Sequence, residues 1–130
     1  MLLFGHRFLS TQPFYHIESI EAIRNTPPNA LLYLHFSEEN LDIINHLQQN
    51  HLSFALVVET ITQIIYASAL GARYIVVSKK MAKSAQDIAE NYLFDAKILA
   101  IIESDDEIEE LAILGIDGVL FANAVVKITS

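Results

Sequence analysis

The chain has no cysteine, only four glycines and three prolines, and half as many basic residues as acidic ones, eight against sixteen. Without cysteine there is no disulfide, no thiolate metal site and no cysteine nucleophile, a composition that suits a reducing cytoplasm, the expected location. No Gly-rich phosphate loop, Walker motif, G-x-S-x-G elbow or H-E-x-x-H pair occurs. No motif calls for a cofactor, and none is expected. The formal charge of −8 repels phosphate backbones and anionic lipid surfaces, so neither nucleic acid nor membrane is an expected partner. Long apolar runs are missing as well: Leu2–Phe4 gives way to Gly5, His6 and Arg7 before reaching the length of a signal sequence or a membrane span.

At 130 residues the chain has the length of one domain. A complete (β/α)8 barrel needs about 250. Six short apolar runs recur along it: Phe14–Ile17, Ala30–Phe36, Ser53–Val58, Arg73–Val77, Lys97–Ile102 and Asp117–Ala122. They are continuously apolar, as strands are when helices cover both faces of a parallel sheet. A further short strand is compatible with Leu2–Phe4. Helical spacing separates the runs, most clearly at Met81, Ala85, Ile88 and Tyr92 with Ala82 and Ala89 beside them. Pro27-Pro28 ends the first helix, and Gly71 and Gly115 stand where two others should stop. The expected fold is α/β, with about six mostly parallel strands in an open doubly wound sheet or an incomplete barrel.

Glu18, Glu59 and Glu103 close alternate strands at steps of 41 and 44 residues, and each is followed by Ser or Thr. Ser37, Ser78 and Ala122 lie nineteen residues after each glutamate, and Ile23, Ile64 and Ile108 five after. The pattern divides the chain into three βαβα units, about residues 12–52, 53–96 and 97–130. Thr60 with Gln63 and Ser104 with Glu107 form capping boxes, which assigns them to helix stability. The acid run Asp105, Asp106, Glu107, Glu109 and Glu110 suits a solvated first helical turn.

Ligands of parallel α/β proteins bind at the C-terminal ends of strands. The candidate catalytic residues there are Glu18, Glu59 and Glu103 with His16 and His35, since imidazole beside carboxylate makes a general acid–base pair or a divalent-metal site; no metal is assigned. Ser78, Lys79, Lys80 and Asn123 are the candidate anion-binding residues. Lys79, Lys80 and Lys83 crowd a helix N-terminus, where cations oppose the helix dipole, so an anion or a carboxylate such as Glu59 or Glu103 should answer them.

The stretch GIDGVLFANAVVKI, residues 115–128, resembles the closing strand and loop of phosphate-binding (β/α)8 barrels of the tryptophan synthase alpha chain and 2-keto-3-deoxy-phosphogluconate aldolase type. Gly115, Gly118, Ala124, Val126 and Lys127 fall on the positions of the G-A-x-G-x-x-x-G-S-A-x-V-K motif. The resemblance implies barrel-type βα geometry. The phosphate-holding Gly-Ser is replaced by Ala122 and Asn123, and Glu103, Asp105 and Asp106 stand where phosphate would sit, a repulsion that two backbone hydrogen bonds would not offset. No lysine occupies the aldolase position.

Two functions follow as expectations. The first is a small barrel-related protein acting by assembly or by partner or ligand binding; its hydrophobic fraction of 52% and its open sheet edges point to a homodimer. The second is a small-molecule lyase or aldolase using the Glu/His rim. A deep pocket at the strand ends would favour the enzyme, and a shallow rim filled by Phe36 or Phe121 the binding protein.

Overall fold

In the computed structural model, which describes residues 1–128, one sheet of eight parallel strands runs through the chain. The six apolar runs become β2 (Phe14–His16), β3 (Leu31–His35), β4 (Phe54–Val57), β5 (Tyr74–Ser78), β6 (Lys97–Ile102) and β7 (Gly118–Phe121). The further short strand at Leu2–Phe4 forms as β1, and a three-residue strand not foreseen, β8 (Val125–Lys127), is added. The order across the sheet is β1-β7-β6-β5-β4-β3-β2-β8. Four helices connect the strands: α1 (Leu41–Gln49), α2 (Ile61–Ala69), α3 (Lys79–Asn91) and α4 (Asp106–Ile113). The expected first helix is instead a 3-10 turn, Glu21–Asn25. Too few residues separate its start from Pro27 for a nucleated α-helix.

The sheet is curled, because β7 and β8 are three residues apart in the chain yet pair at opposite ends of the strand order. β7 pairs with β1 and β6, whereas β8 pairs with β2. All strands point the same way, so the end of β1 meets the start of β8. A Cβ on Gly5 would lie 3.0 Å from the Ala124 Cβ, and the Asn123 side-chain amide donates to the Gly5 carbonyl at 2.9 Å. β1 and β8 form no ladder with each other among the described residues, which leaves an incomplete barrel. At the other end of β1, Gly118 allows the close approach: a Cβ there would stand 2.8 Å from the Leu2 Cβ and 2.7 Å from the Leu99 side chain.

The alternation of side chains across each strand divides the core in two. Leu32, Leu34, Leu56, Ile75, Val77, Ile98, Ala100 and Val119 face the helices, where Ile64 is buried and Ile23 and Ile108 pack at the margin, so the recurrent isoleucines share one layer. α3 turns Ala82, Ala85, Gln86 and Ala89 to this layer; Met81 and Ile88 flank them, while Tyr92 is exposed. The concave face is filled by Phe4, Phe14, Tyr33, Tyr74 and smaller residues. The Phe4 ring lies 5.0 Å from Phe14 and 5.5 Å from Tyr74, and Phe14 is 5.6 Å from Tyr74. Rings from β1, β2 and β5 thus meet across the barrel axis and plug it.

Candidate functional site

Because every strand is parallel, all eight C-terminal ends open on one rim above this aromatic plug. On β2 and β3 the inward parity set by Phe14, Leu31 and Tyr33 carries His16 and His35 to the mouth. The two imidazole centroids are 5.7 Å apart, and Tyr33 lies 5.4 Å from His16 and 6.3 Å from His35. Lys127 is the ladder partner of His16 on β8 and therefore shares its face. Its ammonium sits 3.4 Å from the Glu18 carboxylate.

No hydrogen bond within the described residues engages either imidazole or the Tyr33 hydroxyl; the Asn40 amide donates to the His35 backbone carbonyl at 2.8 Å, not to its ring. Tyr33 is only 8% exposed, yet no sealed polar atom is left unpaired, so its hydroxyl opens to the mouth. Burial lowers the His16 pKa, the neighbouring His35 and Lys127 lower it further, and Glu18 opposes them. Burial raises that of Tyr33.

The β1 side of the rim is constructed differently. His6, 8% exposed, accepts the Phe8 N–H at Nδ1 over 3.1 Å, which leaves the proton on Nε2, 3.2 Å from an Asp105 oxygen. Arg7 binds the other Asp105 oxygen and lies over the Phe8 ring, 4.6 Å from its centroid. The Arg7 hydrogen bond holds the Asp105 carboxyl below its usual range, with the Arg7 charge and the His6 hydrogen bond acting in the same direction. The loop after β1 is thereby clamped to the loop after β6. Beside it, a surface cleft of about 350 Å³ is lined by His6, Arg7, Ser10, Thr11 and Asn123.

The remaining candidates do not converge with the imidazole pair. Glu59 and Glu103 are exposed and make no salt bridge among the described residues; their backbone N–H groups donate to Gln63 and Glu107, each at 2.8 Å. Each expected capping box forms by half: Gln63 N–H donates to Thr60 Oγ1 at 3.2 Å while Gln63 takes the Glu59 N–H, and Ser104 N–H donates to Glu107 at 3.0 Å while the Ser104 hydroxyl accepts from Asp106. Glu107 is held below the usual carboxylate range mainly by these backbone donors. Lys79 does find a carboxylate, but on α4, not at a strand end: Glu110 at 2.9 Å and Glu107 at 3.6 Å. Lys83 pairs with Asp87 one turn along, Lys80 is exposed, and the Ser78 hydroxyl makes no cap hydrogen bond. Asn123 is engaged at the β1–β8 junction. No group of three or more His, Asp or Glu side chains among the described residues is placed to hold a metal ion.

Neither Phe36 nor Phe121 fills the mouth. Phe36 packs on the helix side, 5.8 Å from Tyr66, and Phe121 lies outside the sheet, 5.8 Å from His6. Sequence reasoning passed over His6, Arg7, Tyr33 and Lys127. Tyr33 and Lys127 could have been found by strand parity; the His6–Asp105 contact left no local signal. No protein-family model matches the chain, and no curated protein matches it.

Proposed function

We propose that this protein is a binding module that receives a small ligand, or a small group of a partner, at the β2–β3–β8 side of the rim. One observation carries the reading: in a molecule whose one buried histidine among the described residues, His6, has both ring nitrogens occupied, the His16 and His35 imidazoles make no hydrogen bond there and stand over a buried tyrosine. Buried and half-buried polar groups such as Tyr33 and His16 are ordinarily paired, so this set, open at the mouth beside the exposed His35, is available to something that arrives. The aromatic rings of Phe4, Phe14 and Tyr74 fill the interior beneath, which speaks against a deep substrate channel. A thermal-shift screen of organic acids, phosphates, sugars and nucleosides tests this, comparing the native protein with a His16→Gln/His35→Gln variant. Hits that stabilise the native chain alone support the reading; hits retained in full by the variant contradict it.

A lyase or aldolase at the same place is the second reading, and Glu18 favours it, since its carboxylate draws the His16 imidazole toward protonation. Under that reading Glu18→Gln abolishes turnover. Assembly as a twofold dimer belongs with the first reading. No charged residue occurs between Thr60 and Ala72, and α2 exposes Ile61, Ile65 and Tyr66. Sedimentation at micromolar concentration should return a dimer, weakened by Ile65→Glu.

A further inference from the structure

We infer that the ligand of the mouth is a small anion, a carboxylate or a phosphate, held between His16, His35 and Lys127 with the Tyr33 hydroxyl donating from the interior; this rests on the mouth being a binding site.

The charges select the sign. In a chain of sixteen acids and eight bases, the groups gathered at this mouth are two imidazoles, one ammonium and one carboxylate. That carboxylate, Glu18, already sits on Lys127, 65% and 60% exposed respectively, and a pair so open to water is readily exchanged for another anion. A metal cation would meet two nitrogen ligands and no third, beside an ammonium that repels it. Tyr33 supplies a donor from a side chain more than nine-tenths buried and otherwise unused. Among the described residues nothing anionic besides Glu18 stands against His16: β3 presents His35 and Tyr33, β8 presents Lys127, and the next strand presents apolar Val57.

An arriving anion opposes the burial and the neighbouring His35 and Lys127 that lower the His16 pKa. Binding therefore takes up a proton and weakens as the pH rises. Glu18 competes with the ligand for Lys127, so its removal should tighten binding, the opposite of what a catalytic carboxylate would do.

The test follows the imidazole C–H resonances of the full chain by NMR during titration with succinate, inorganic phosphate and glycerol. The inference expects both anions to move the His16 and His35 signals and to raise the His16 ionisation midpoint, with glycerol silent; the stronger anion identifies the source. Succinate changes its charge little above pH 6.5, and its affinity should fall about tenfold by pH 8. Lys127→Gln should weaken it about fivefold and Glu18→Gln strengthen it severalfold. Glycerol acting like the anions would overturn the anionic class while leaving the mouth as the binding site. Anions that move only His6 would overturn both readings, and silence of all three probes at tens of millimolar would overturn the anion. Lys127 and Glu18 are exposed, so their variants report binding without a loss of folding.

Discussion

His6, two residues past the end of β1, and His16, the last residue of β2, lie at the same rim, yet the first has both ring nitrogens hydrogen-bonded and the second has neither among the described residues. Both ring nitrogens of His6 are hydrogen-bonded, its aspartate is shared with an arginine, and the imidazole fastens the loop after β1 to the loop after β6. His16 points into the mouth and faces a second imidazole, a tyrosine and a lysine, with no ring hydrogen bond among the described residues. The difference separates the part of the rim that holds the curled sheet together from the part left available to a ligand. The clamp stands where β1 and β8 meet without pairing, the place where an incomplete barrel most needs a tie.

The largest effect expected from breaking this contrast is on the clamped side. His6→Ala removes a buried ring and two hydrogen bonds, and should cost about 2–3 kcal/mol in urea unfolding. A loss below about 0.5 kcal/mol, the range of ordinary surface substitutions, would erase the distinction between the two sides. Gly5→Ala attacks the same junction through the backbone. With φ at +88° and the Ala124 Cβ 3.0 Å from the added methyl, it should cost about 1–3 kcal/mol.

Acidity should separate the two sides by window. His16 binds fewer protons folded than unfolded, so its contribution to stability is complete above its ordinary value of 6.5 and is lost as the pH falls through the lower folded value. Native protein should therefore lose more stability between pH 7.5 and 5.5 than His16→Gln does. Asp105 and Glu107, both depressed by their hydrogen bonds, contribute above their ordinary values of 3.8 and 4.5 and fail only at lower pH. An acid transition of His16→Gln identical to that of the native chain near pH 6 would contradict the assignment. The smallest effect belongs to His35→Gln, exposed and unbonded, which should leave stability within about 0.5 kcal/mol.

Six strands were legible because continuous apolar runs survive any local ambiguity, and the caps at Thr60 and Ser104 because their partners lie three residues on. The short strand compatible with Leu2–Phe4 forms as β1, whereas β8 was missed, because the resemblance of residues 115–128 to a barrel's closing unit concealed that the chain changes ladders at Asn123. His16 and His35 were found together because adjacent parallel strands place neighbouring ends side by side. The clamp was not, since Arg7 and Asp105 are 98 residues apart and Asp105 already had a sufficient explanation at a helix start. Lys79 was expected to seek an anion or a carboxylate; only the packing of α3 beside α4 could show that Glu107 and Glu110 supply it.

The most direct test of the division is a backbone amide map of the uniformly labelled protein during titration with succinate at pH 6.5. The account predicts shifts at the ends of β2, β3 and β8, around His16, His35 and Lys127, with Gly5–Ser10 and Ser104–Asp106 unmoved. Shifts centred on Gly5–Ser10 and Asn123, with the imidazole pair silent, would contradict it.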